Sequence, residues 1–184
     1  MLLWNQAPFL SMQLLWINLV TDSLPAIALG MEAIDPNVMD RQPKPKKEGI
    51  FANGLGIQVV LQGVMFAILS LIGFRVGSQV TGAIEGGRTM AFLVLAFAQI
   101  LHAYNMRSHK SLFKTGLFTN KYLNLASLVS TALMCLVLFV PPIASVFGLI
   151  RLPMKLYMLG FGLAVVPVVV LEIVKAFGLV KHHK

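Results

Sequence analysis

Charge is scarce in this sequence. Asp, Glu, Lys and Arg together make up 12% of its 184 residues, and only seven of these are acidic. A soluble domain carries about 25% charged residues, so that class is excluded, and the 57% hydrophobic content and mean hydropathy of +0.80 agree. Cysteine is nearly absent. Cys135 stands alone in an apolar run, so no internal disulfide can form; it reads as a small packing residue and says nothing about compartment. No Gly-rich nucleotide loop occurs, and Gly160 and Gly162 follow no strand, so they allow close helix packing or, with Pro167, a kink. The first eight residues have no basic n-region and no small-residue cleavage site, so they are not expected to act as a signal peptide. A net charge of +8 would point to nucleic acid in a soluble protein, but the basic residues here collect between apolar runs and act as topology signals, so no nucleic-acid partner is expected.

What is abundant is apolar sequence in blocks of about twenty residues, the length needed to cross a bilayer as a helix. Five such spans are expected, at about residues 12–31, 55–74, 89–106, 123–140 and 156–179, with Gly, Pro and charged residues in the breaks. The predicted fold class is an all-α polytopic membrane helix bundle. Eleven of the fifteen Lys and Arg fall after the first, third and fifth spans: Arg41, Lys44, Lys46, Lys47, Arg107, Lys110, Lys114, Lys121, Lys175, Lys181 and Lys184. The opposite side keeps Arg75, Arg88, Arg151 and Lys155. The positive-inside rule then makes residues 32–54 and 107–122 cytosolic loops, with the chain starting outside and ending in the cytosol.

One acid breaks the apolar pattern of the first span. Asp22 lies at membrane depth, where a carboxylate costs about 2.5–3.5 kcal/mol even on the permissive insertion scale. Asn18, four residues earlier, shares its helical face, and Thr21 is its neighbour. Pro25 has no N–H to give the carbonyl of Thr21, which leaves a backbone oxygen free beside the carboxylate. Oxygen ligands on an interrupted membrane helix suit a hard cation such as calcium. The alternative is structural, with Asp22 paired to a Lys or Arg of a neighbouring helix and Pro25 a plain kink.

Residues 13–26 (QLLWINLVTDSLPA), with Ala28, Leu29 and Gly30 after them, closely resemble the sixth membrane helix of calcium-transporting P-type ATPases of the sarcoplasmic-reticulum class. Met39, Asp40, Arg41, Gln42, Pro43, Lys47 and Glu48 resemble the next cytosolic loop of that family, and the opening residues resemble the end of its fifth helix. The resemblance covers nearly the whole chain. It implies the last five of ten membrane helices, the C-terminal part of the transport domain of an ATP-driven calcium pump. Asn18, Thr21 and Asp22 would be ion ligands, and the remaining ligands would come from upstream helices. Calcium is the implied cargo, and magnesium and ATP are needs of the full pump. The implied partners are the lipid bilayer, the upstream helices and the cytosolic catalytic domains, against which the Pro43 and Pro45 loop would lie. The membrane would be the cell membrane in a bacterium, and otherwise that of the reticulum or secretory pathway. The family's phosphorylated motif, Asp-Lys-Thr-Gly-Thr, does not occur here, so this stretch alone cannot hydrolyse ATP. The short basic tail with His182 and His183 is too brief for a calmodulin-binding extension.

Gln99 departs from the resemblance, standing where calcium pumps often carry an acidic ligand. An amide keeps the oxygen and loses the charge, so Gln99 is either a neutral ligand of a weakened site or an interhelical hydrogen-bonding residue, and one calcium ion per cycle is expected. His102 reads as a helix-packing residue, since no Cys or second His stands at ligand spacing. Glu172 and Lys175, one turn apart, read as a snorkelling ion pair. Asn105 and Arg107 need no site to explain them. The alternatives are a pump for manganese, sodium or protons, or a non-catalytic truncated membrane fragment. A secondary-transporter half is disfavoured, because the Asn-Thr-Asp motif has no second copy.

Overall fold

Apolar blocks in a bilayer must satisfy every backbone N–H and C=O internally, and the helix does this within one segment. A computed structural model describes residues 7–32, 55–107 and 119–176, and all the regular structure among them is helical. Five of its helices are long and apolar enough to cross a membrane: Ser11–Gly30, Leu55–Thr81, Ile84–Met106, Lys121–Phe139 and Met154–Lys175. Most of the two loops read as cytosolic lies outside the described residues, including Lys44, Lys46 and the Pro43–Pro45 pair, as does the tail with His182 and His183.

The first span is made of α1 (Ser11–Ile17), a π-helical stretch (Asn18–Ser23) and α2 (Leu24–Gly30). The others are α3 (Leu55–Thr81), α4 (Ile84–Met106), α5 (Lys121–Phe139) and α7 (Met154–Ala176), with the short α6 (Pro141–Val146) between the last two. The second helix runs on past Phe74 and takes in Arg75.

The bundle is organised around α4, of whose spanning stretch 67% is buried, against 33% or less in each of the other spans. Met90, Phe92, Leu93, Val94, Ala96 and Ala98 of α4 are almost fully enclosed, packed with Ile17 and Val20 of the first span and Met134 and Val137 of α5. The α3–α4 pair is a helical hairpin, turned at Gly82, whose φ of 69° is a left-handed conformation that costs a residue without Cβ little. Small residues bring the two helices together. A Cβ at Gly77 would stand 2.5 Å from the Gly86 carbonyl oxygen, and one at Gly87 would stand 2.7 Å from that of Phe74. Gly160 lets α7 approach α4 in the same way, its missing Cβ giving room to Leu93. Pro167, inside α7, is fully buried.

Two polar ties close the ends of the bundle. At the start of the first span, Gln13 is completely buried; its Oε1 accepts from the Leu10 N–H (3.0 Å) and its Nε2 donates to the Phe147 carbonyl (2.9 Å). At the other end of that span, Arg107 donates through Nε and a terminal nitrogen to the two carboxylate oxygens of Glu32, at 3.0 and 2.7 Å.

Candidate functional site

The π-helical stretch Asn18–Ser23 contains three of the four residues singled out as ion ligands, Asn18, Thr21 and Asp22. A π-turn widens the helix by one residue per turn and often marks a functional position. Here it precedes Pro25, near the start of α2, whose missing N–H forbids the regular α bond at that level. One carbonyl of the stretch, that of Val20, accepts a 2.7 Å hydrogen bond from the buried Ser130 hydroxyl of α5. The interruption is therefore braced from a neighbouring helix.

The stretch divides its polar residues between two faces. Gln13, Ile17, Val20, Thr21, Pro25 and Ala28 form the buried face of the span. Asn18 and Asp22 are on the exposed face, among the exposed Leu15, Leu19 and Ile27. Asp22 makes no ion pair among the described residues, and no group of three or more His, Cys, Asp or Glu occurs among them that could hold a metal by itself. The arrangement is a single carboxylate and a carboxamide on an apolar surface, one helical turn apart. Two such oxygen-bearing side chains fall short of the six to eight oxygens that a calcium ion takes, so this face alone is no complete cation site.

Thr21 turns inward and meets Gln99 of α4. Its hydroxyl oxygen lies 2.7 Å from the Ile17 carbonyl oxygen and 2.7 Å from Gln99 Oε1. One hydroxyl proton serves one acceptor. With that proton given to Ile17, the favourable orientation of the amide has Gln99 Nε2 donating to Thr21 and Oε1 facing the opposite way, since the two amide ends exchange without moving the side chain. Gln99 is only partly buried, so that oxygen is not sealed into the core. The structure thus joins Thr21 to Gln99 and keeps Asn18 and Asp22 on a separate face.

His102, Glu172 and Lys175, also singled out in the sequence, pack against neighbouring helices. His102 packs edge-on against Phe66 of α3, with ring centroids 5.2 Å apart, and its Nδ1 is buried without a hydrogen-bond partner. Glu172 and Lys175 form the expected i,i+3 pair, 3.8 Å apart, with both side chains largely covered by the bundle. Lys175 is nearly buried, and its ammonium donates to the Asn105 carbonyl across the α4–α7 contact at 2.8 Å.

Sequence reasoning passed over the cluster at the end of the first span. The Arg107 guanidinium holds the Glu32 carboxyl below the ordinary carboxylate range; partial burial works against this shift and the Asn120 amide adds to it. Asn120 donates to Glu32 and to the Ala28 carbonyl, while its own Oδ1 caps α5 through the Leu123 N–H at 2.9 Å. The available signal was one acid two residues past an apolar span and one Arg at the end of another.

The sequence matches the family model described as "Cation transporting ATPase, C-terminus" over residues 6–177. It is 36% identical to calcium-transporting ATPase 1 of Bacillus cereus over 91% of this chain and 21% of that protein. It is 38% identical to the calcium-transporting ATPase of Bacillus subtilis, over 91% of this chain and 19% of that protein. Calcium-transporting ATPase type 2C member 1 of Bos taurus is 30% identical over 91% of this chain. The chain spans about a fifth of the length of these relatives. With this match over nearly its whole length and a bundle of five apolar helices, the chain belongs to the family of cation transporting ATPase C-terminal membrane regions.

Proposed function

We propose that the chain is the C-terminal half of the membrane domain of an ATP-driven calcium pump and that Asp22 is its anionic ion ligand. One observation carries this reading: an ionisable side chain stands at a π-turn on an apolar helix face and finds no cationic partner among the described residues. A structural acid at membrane depth would be paired within the bundle. This one faces away from the bundle, where further helices bearing oxygen ligands complete a shell. The names of the relatives support calcium as the cargo.

In this mechanism the chain's own residues do three things. Asp22 supplies charge and Asn18 a neutral oxygen to the ion. Thr21 holds Gln99 through its amide, so that Gln99 serves in the contact between the first span and α4. The π-turn lets this level of the helix change its winding while α1 and α2 keep theirs. ATP and magnesium act in upstream catalytic domains, where phosphorylation of an aspartate drives the helices between two arrangements and releases calcium on the far side. With Gln99 in place of an acid, the site on the α4 side holds calcium too weakly to fill, and one ion moves per cycle.

The test is Asp22→Asn in the complete pump. Calcium-dependent phosphorylation from ATP should be abolished while expression and insertion persist, because removal of a charge at this depth lowers the cost of insertion. Calcium uptake near the parental level would end the assignment. Stimulation of the parent by manganese, sodium or protons in place of calcium would keep the pump and change the cargo. The same preparation should show a Hill coefficient near one for calcium, as an estimate from the single charged ligand. About two bound calcium ions per phosphorylation site would return Gln99 to a full ligand role.

A further inference from the structure

The Glu32–Arg107–Asn120 cluster joins three spans at one point. Glu32 follows α2 by two residues and is tied to it by a backbone bond from its own N–H to the Leu29 carbonyl at 3.1 Å, with the Met31 N–H bonded to the Ala28 carbonyl at 3.2 Å. Rotation or sliding of α2 therefore moves Glu32 with it. Arg107 stands at the C-terminal end of α4, the most buried helix, and its side chain is 1% exposed against 31% for Glu32. The fork is bidentate, which fixes direction as well as distance. A second bond from Arg107, to the Thr119 hydroxyl at 2.7 Å, draws in the start of α5, as do the bonds of Asn120.

The far end of the same span is held as firmly, by Gln13 between the Leu10 N–H and the Phe147 carbonyl. Between these two fixed ends lies the π-helical stretch with Asn18 and Asp22. Between Asp22 and Glu32 lie the end of the π-helical stretch and the seven residues of α2 (Leu24–Gly30), the latter about 10 Å of rise. Because Glu32 is tied to the end of α2, the depth and rotation of α2 set where the chain enters the π-helical stretch that carries Asp22.

Resting on the calcium-pump reading, we propose that Glu32 is a positioning residue for the transport reaction: clamped by Arg107 and Asn120, it sets the depth and rotation of the helix that presents Asn18 and Asp22 to the ion. A clamp that only held the fold together would change how much pump is made. A clamp that sets the position of ligands changes how tightly calcium is held by each folded molecule.

The experiment compares Glu32→Gln, Arg107→Gln and the double variant in the complete pump, extracted in mild detergent and separated as a monodisperse peak. Two readings are taken: the calcium concentration giving half-maximal phosphorylation from ATP, and the maximal phosphoenzyme per folded pump. Each single variant should raise the half-maximal calcium about tenfold, and the double variant no further than the larger single effect, because the two residues act through one contact. Maximal phosphoenzyme per folded pump should stay near the parental value. A half-maximal calcium within about twofold of the parent in folded Glu32→Gln, or shifts that multiply in the double variant, would overturn the proposal. So would a lowered maximum at unchanged half-maximal calcium. Should Glu32→Gln fail to accumulate as folded pump, Glu32→Asp replaces it; it keeps the charge and shortens the reach, so a smaller rise of about threefold is expected and parental behaviour overturns the proposal. A parent that phosphorylates without any response to calcium would overturn the calcium-pump reading, and the positioning role with it.

Discussion

Gly77→Ala should separate the α3–α4 hairpin, and the size of the effect follows from the geometry. The added Cβ would stand 2.5 Å from the Gly86 carbonyl oxygen and 2.7 Å from Met90 Cβ, where ordinary contact begins at 3.4 Å. Neither neighbour is the end of a flexible side chain, so the helices themselves must part by about 0.9 Å, the difference between 3.4 and 2.5 Å. A radial gap of 0.5–1 Å forfeits roughly a quarter to a half of each pairwise dispersion well. Gly73 and Gly87 sit on the same seam and would lose their contacts as well. Gly63, on the same helix, has nothing within 4 Å and is exposed, so Gly63→Ala meets no neighbour. Both substitutions gain the helix propensity of alanine, up to about 1 kcal/mol, and that gain cancels in their difference. The difference is expected to be about 2–3 kcal/mol, with Gly77→Ala the less stable, in the range of overpacked cores. Loss of helicity by circular dichroism across a denaturing-detergent titration in mixed micelles measures it. Equal midpoints for the two variants would mean that α3 and α4 are not in contact through this seam.

Ser130→Ala removes the brace on the Val20 carbonyl and should cost about 0.6 kcal/mol, and no more than about 1.7, in the same titration; a loss beyond that range would show that the hydroxyl does more than hold one bond. Cysteines replacing the exposed Lys121 and Lys155, each in a background without Cys135, should be labelled by an impermeant thiol reagent from opposite sides, Lys121 from the cytosol; labelling of both from one side would contradict the orientation read from the basic residues. Because Arg107 holds the Glu32 carboxyl below its ordinary value of 4.5, the contribution of Glu32 to stability is fully present above that pH and is lost as pH falls through the lower, folded value. Stability of the parent should therefore fall more steeply below about pH 4.5 than that of Glu32→Gln, and parallel acid limbs would refute the link.

The five apolar helices were legible because hydropathy at this length has one interpretation in a chain so poor in charge. The interruption in the first span was legible in part. Pro25 pointed to a missing backbone bond, but periodicity could not say that the helix would widen into a π-turn from Asn18. The direction of Thr21 was also out of reach, since a wider turn rotates the residues that follow it, and a threonine beside an acid in sequence can be behind it in space. Glu32 and Arg107 were overlooked because they are 75 residues apart and each sits where a charged residue needs no explanation. Lys175 was legible in part: its i,i+3 partner Glu172 is present, and the bond to the Asn105 carbonyl on another helix is an addition that spacing could not show.

Asn18 and Asp22 belong to the outer surface of a peripheral helix, and the close-packed interior belongs mainly to α4. This separates chemistry from architecture. Side chains at 15, 18, 19 and 22 can change in size and charge without reaching the interior, so substitutions there leave the packing around α4 intact. The same layout means that a stability measurement on this chain registers damage to α4 and passes over changes at Asn18 and Asp22.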